Sequence, residues 1–222
     1  MASLGPSLLL YATAAAVGLL GLWAEKQVLL GIGKPVATVL LLAVLGGLPA
    51  DQRGYLLSGG IMLSLLADIA LLANGRIALA SGLALFLMAH LCYGLAFWEA
   101  RAGGWLLAPG AVIFGAGSFW LLRYQGRRLG SSLRLLIAIH ALALTLMVAT
   151  IFSSLAGRAA LSFALLASVG AVMFYFSQAL LPWVRLRCVS RWAQSATLVA
   201  YWAGQLCLVL AARWGLGEKL VP

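Results

Sequence analysis

The chain has 222 residues, 64% of them hydrophobic and only 9% charged, with a mean hydropathy of +1.05 and a formal net charge of +10. Soluble domains are about half apolar, so this composition argues against a soluble fold and points to a polytopic helical membrane protein. Its apolar runs are continuous, which excludes the alternation of a membrane barrel. The basic residues sit between those runs, with no basic stripe of interleaved aromatics outside them, so the charge speaks for topology and anionic headgroups rather than nucleic acid.

Taken in chain order, the apolar segments fall at about 7–24, 35–49, 54–73, 77–98, 104–122, 133–152, 159–181 and 192–213. The first lacks a preceding basic region and reads as a helix, not a cleavable signal. The second is short and opens with "GKPVA". Pro35 suits a first helical turn, where its missing N–H has no partner to lose, and Lys34 then lies at the mouth of the segment. If so short a segment does not span, the count is seven. The third segment carries Gly59-Gly60, a strong break near Asp68. The fold class is all-α: a polytopic transmembrane bundle of about eight helices, forming one transmembrane domain over 1–222.

The loops set the orientation. One alternating set holds Lys26, Lys34, Arg76, Arg123, Arg127, Arg128, Arg134, Arg185, Arg187 and Arg191; the other holds Arg53, Arg101, Arg158, Arg213 and Lys219. The positive-inside rule puts the first set, with the loops Arg123–Arg134 and Arg185–Arg191, in the cytoplasm, and both termini outside. Cys92, Cys188 and Cys207 form no CxxC, so zinc and redox motifs are absent.

Polar groups inside the segments carry the functional signal. Glu25, Asp51, Glu99 and Glu218 lie at segment ends, whereas Asp68 stands well inside "LSLLADIALLANG". A charged side chain at the bilayer centre costs about 2.5–3.5 kcal/mol on insertion scales, so it is expected to face the bundle interior or a wet cavity. Ser64, one turn earlier, is its expected first partner. His90 and Tyr93, Tyr175 and Gln178, and Tyr201 and Gln205 form further pairs at helical spacing. Interhelical hydrogen bonding is the alternative role for such side chains, worth about 0.6 kcal/mol each on average. His90 and His140 lie on different segments and share no metal-binding spacing, so no metal or other cofactor is expected. The absence of GxSxG leaves serine hydrolase chemistry unsupported.

The stretches "GKPVA", "SGGIMLSLLADIALL", "SGLALFLMAHLCYGLAFW", "GAVMFYFSQALL" and "AYWAGQLCLVLAA", in this order over about 33–212, resemble the lysoplasmalogenase (YhhN-like) family of integral membrane proteins. The resemblance implies metal-free hydrolysis of the vinyl ether bond of lysoplasmalogens to a fatty aldehyde and a glycerophospho-alcohol. It also implies roles for Lys34, Asp68, His90, Tyr93, Tyr201 and Gln205. Where this chain has Gln178, the resemblance implies a second aspartate; an amide cannot exchange a proton as a carboxyl does.

Apolar surroundings disfavour the charged form of a carboxyl, so Asp68 is expected to keep its proton and act as a general acid. Protonation of a vinyl ether at carbon gives an oxocarbenium ion, to which water adds, with Gln178 orienting it. Basic residues such as Arg76 or Lys34 would meet the lipid phosphate. The same acid on a prenylated substrate describes a proton-initiated terpene cyclase or isomerase. Tyr93, Phe174, Tyr175, Tyr201 and Trp202 would then line the cation's pocket. A third possibility is a lipid-binding protein or transporter with Asp68 as a proton or cation site. The expected catalytic residues are Asp68, Gln178 and Tyr201. Lys34, Ser64, His90, Tyr93, Tyr175, Trp202 and Gln205 are the expected substrate contacts, and the expected partners are membrane lipids and a hydrophobic small molecule.

Overall fold

The computed structural model describes residues 4–46, 51–101, 107–125, 130–157, 160–187 and 190–215. Arg127, Arg128, Arg158, Cys188, Glu218 and Lys219 lie outside the described residues. Eight α-helices follow one another among the described residues: α1 (Leu4–Trp23), α2 (Gln27–Leu45), α3 (Gln52–Ala70), α4 (Arg76–Ala96), α5 (Leu107–Gln125), α6 (Ser131–Ser153), α7 (Leu161–Leu186) and α8 (Arg191–Gly215). The helices pair as the hairpins α1–α2, α3–α4, α5–α6 and α7–α8, and α2 and α8 also pack on each other.

Among the described residues, six helices are long and apolar enough to cross a membrane; α3 and α5 are not among them. In α3 the polar side chains Gln52, Arg53, Ser58, Ser64 and Asp68 lower the mean hydropathy. The chain is thus a multi-pass integral membrane protein. Its outer surface exposes large apolar side chains such as Leu9, Ile77 and Val112, as expected where the surroundings are lipid and every helix satisfies its own backbone.

Helices without a hydrophobic drive toward one another associate through small residues that let backbones meet. In the first hairpin, a Cβ added to Gly33 would come within 2.6 Å of the Gly18 Cα. In the last, one added to Gly170 would meet the Gly204 carbonyl at 2.9 Å. Gly60 lies under the Tyr93 ring, where a Cβ would meet Cε1 at 2.6 Å. Gly59-Gly60 is therefore a contact of α3 with α4 inside an unbroken helix, not the break expected from sequence.

Two boundaries differ instructively. Helix α2 begins at Gln27, so Pro35 lies inside it and not in its first turn. Gly31 and Gly33, just before the expected start, are points where Leu72 and α1 approach. The second segment is a full helix, and Lys34 sits within it, about two turns from its start. Likewise α7 runs through Pro182 to Leu186, past the expected end at 181. Proline in a membrane helix is tolerated where neighbours satisfy the freed carbonyl.

Candidate functional site

Asp68, in the last turn of α3, is fully buried. Two neighbouring helices, α2 and α8, supply its partners. Lys34 of α2 places Nζ 2.8 Å from Oδ1. One turn on, Thr38 donates from Oγ1 to Oδ2 at 2.7 Å. Tyr201 of α8 donates from Oη to the same oxygen, also at 2.7 Å. Lys34 Nζ also lies 5.1 Å from the centre of the Tyr201 ring. Three donors, one of them a cation, converge on an acceptor. The acid is thus not the lone group expected from sequence, because a lysine one helix away lies against it. Removing either partner of such a buried pair leaves an uncompensated charge, at a cost of about 3–5 kcal/mol.

The carboxyl lines a partly open cleft with a cavity volume of about 110 Å³, together with Lys34, Phe86, Gln178, Arg185 and Tyr201. Leucines of α1, α2, α7 and α8 and those that follow α3 wall it. The Gln178 Oε1 is buried with no hydrogen-bond partner among the described residues. An amide oxygen in that condition beside a cleft is a ready acceptor for a water or ligand. The mouth lies at the end of the bundle where α1, α3 and α7 finish and α2, α4 and α8 begin, on the face that carries the larger set of basic residues.

Other expected site residues form layers behind the cleft. Ser64 pairs with Tyr93, oxygen to oxygen at 3.4 Å, and not with Asp68. Gln205 donates from Nε2 to the same Tyr93 hydroxyl at 3.5 Å. His90 and His140 meet edge to face with ring centroids 4.9 Å apart. His140 Nδ1 lies 3.3 Å from the Leu83 carbonyl, while neither nitrogen of His90 has a partner among the described residues. No group of three potential metal ligands occurs among the described residues.

Tyr175 points away from the cleft: its hydroxyl donates to the Phe114 carbonyl at 2.7 Å and lies 3.0 Å from Ser118 Oγ. Trp202 packs on Gly18, and its carbonyl accepts from Tyr11 at 2.7 Å. Of the five aromatic residues expected to box a cation, Tyr201 alone lines the cleft. The others turn to helix seams, because three- and four-residue spacings fix a shared face but not which neighbour that face meets. Arg76 is exposed at the start of α4 and does not line the cleft.

Sequence reasoning missed Thr38, Phe86 and Arg185. Thr38 had a readable signal, lying four residues after Lys34 on one face of a helix. Arg185 was read as a basic residue of the loop after a segment ending at 181, whereas α7 continues to Leu186.

The YhhN family model matches residues 31–212, from the second turn of α2 to near the end of α8. No curated protein and no solved structure matches the chain. The matched span contains the whole polar layer around Asp68, and the chain belongs to the YhhN family.

Proposed function

We propose that this protein hydrolyses the vinyl ether bond of lysoplasmalogen-type lipids, releasing a fatty aldehyde and a glycerophospho-alcohol. The observation that carries this reading is the Lys34–Asp68 pair at the floor of an apolar cleft open to one face of the bundle. Membership of the YhhN family supports it.

The pair supplies both an acid and a base. A lipid entering the cleft displaces water, which leaves separated charges poorly solvated. The proton passes from Lys34 Nζ to Asp68 Oδ1, giving a neutral amine and a neutral carboxyl. Asp68 then protonates the β-carbon of the vinyl ether. The C=C electron pair forms the new C–H bond, and the α-carbon becomes an oxocarbenium ion beside the regenerated carboxylate. Fixed charge of this kind stabilises the developing cation without reorganisation. Water, held by the Gln178 amide, adds to the α-carbon and gives its proton to the Lys34 amine. The ion pair is restored, and the hemiacetal collapses as its hydroxyl proton moves to the leaving ether oxygen. Thr38 and Tyr201 keep Oδ2 occupied, so the mobile proton belongs to Oδ1.

The test is aldehyde release from a lysoplasmalogen by the purified protein in detergent, with Asp68→Asn as the comparison. Loss of general acid catalysis lowers a rate by about 10²–10⁴-fold, and this is the expected effect. Equal aldehyde release by the two proteins would remove the proposal.

A further inference from the structure

Arg185 is the one cleft-lining cation without a carboxylate partner among the described residues. The described carboxylates are all engaged elsewhere. Asp68 holds Lys34, Glu99 pairs with Arg53 at 2.9 Å, Glu25 pairs with Arg191, and Asp51 accepts from the Gly54 N–H at the start of α3. Arg185 instead donates from Nη2 to two backbone carbonyls just after α3, those of the C-cap Leu71 and, at 2.9 Å, Ala73. The Leu71 oxygen, at the C-cap, shares in the partial negative charge of the helix C-terminus, and the Ala73 oxygen is a backbone acceptor beyond it. The guanidinium keeps a net positive charge, and its Nε and Nη1 donors take no part in those two bonds.

Position gives that charge a use. Leu71 follows Asp68 by three residues, about 4.5 Å along a helix axis. Arg185 therefore stands about one turn above the acid, between it and the mouth on the basic face. A vinyl ether and the phosphate of a single-chain glycerophospholipid are separated by the glycerol backbone, a spacing of that order. With the reacting bond at Asp68, the phosphate reaches Arg185 and the chain lies against the leucine walls. Lys34, expected from sequence to meet the phosphate, is committed to Asp68.

We infer that Arg185 is the anion-recognition residue of the cleft and selects single-chain lipids bearing a glycerol phosphate. This rests on the proposed hydrolysis for the choice of lipid, but its test is binding alone. Arg213 provides the control. It caps the end of α2 in the same manner, donating from Nη1 to the Val44 carbonyl at 2.6 Å, and does not line the cleft.

The probes are a saturated 1-O-alkyl-glycero-3-phosphocholine, which lacks the reactive double bond, the matching alkylglycerol without phosphate, and soluble glycerol 3-phosphate. Binding to the purified protein is measured by calorimetry for wild type, Arg185→Gln, Arg185→Lys and Arg213→Gln. A charge-assisted hydrogen bond contributes about 1.5–3 kcal/mol, so wild type is expected to prefer the phospholipid over the alkylglycerol about tenfold or more. Arg185→Gln should abolish that preference while still binding the alkylglycerol, which also shows that the variant is folded. Arg185→Lys should keep part of it, and Arg213→Gln all of it. An undiminished preference in Arg185→Gln, or an equal loss in Arg213→Gln, would overturn the assignment. So would glycerol 3-phosphate binding as tightly as the phospholipid, since the site would then take a free phosphate ester. Failure of hydrolysis with this pattern intact would remove the reaction and leave the binding site.

Discussion

Lys34 and Asp68 sit on neighbouring helices with Nζ and Oδ1 2.8 Å apart, the lysine 15% exposed and the aspartate fully buried. That asymmetry makes the pair a device and not simple glue. One end reaches the cleft and can exchange a proton with what enters it. The other is fixed by Thr38 and Tyr201.

Lys34→Arg separates the charge of the lysine from its basicity. A guanidinium keeps the ion pair but cannot be deprotonated in a protein. The variant should therefore fold with little change in melting temperature, yet release aldehyde about 10²-fold more slowly or worse. Wild-type turnover in Lys34→Arg would show that the lysine serves only as a counter-ion.

Thr38→Val and Tyr201→Phe each remove one hydroxyl from Asp68 Oδ2. Hydrogen bonds to charged groups contribute about 1.5–3 kcal/mol, so each variant should lose stability on that scale in thermal melts. Because both act on one oxygen, the double variant should fall short of the sum of the singles. Strict additivity would mean that the two hydroxyls do not share Asp68.

Gln178 and Tyr175 are three apart on α7 but serve different places. Gln178→Leu removes an amide that lines the cleft, and kcat should fall about tenfold as the water loses one hydrogen-bond partner. Tyr175→Phe alters a bond to the Phe114 carbonyl, away from the cleft, and should cost stability without changing kcat. The reverse pattern, read from steady-state kinetics and melting temperature together, would misplace the cleft.

Much of the fold was legible because lipid imposes simple rules. A run long enough to span must be helical, and Asp68 stood out as the deep acid. The contents of the site were harder to read. Spacing put Tyr201 with Gln205 and His90 with Tyr93 on shared faces, but Asp68 is completed by α2 and α8, and which helices meet is a tertiary fact. The glycines misled for a related reason. Gly59-Gly60 looks like a break in its helix. In this bundle Gly33 and Gly60 mark where a backbone or ring presses close. Pro35 likewise suited a first helical turn, whereas it lies well inside α2, and α7 runs past its expected end at 181 through Pro182.

The glycine reading can be checked in one pair of substitutions. A Cβ at Gly33 meets the Gly18 backbone, which cannot rotate away, so Gly33→Ala should destabilise by about 1–3 kcal/mol. At Gly59 the nearest atom is Cys92 Sγ at 4.0 Å, and Gly59→Ala should be neutral or stabilising by about 0.5–1 kcal/mol. Equal tolerance at both positions in thermal melts would contradict the packing of α1 on α2.

The most direct measurement follows the proton itself. The purified protein is given a lysoplasmalogen in D₂O, and the aldehyde is trapped and weighed by mass spectrometry. Transfer from Asp68 to the β-carbon predicts one deuterium at the carbon next to the aldehyde group, with product formation lost in both Asp68→Asn and Lys34→Arg. Aldehyde without that deuterium, or labelled aldehyde formed at the wild-type rate by either variant, would contradict the account.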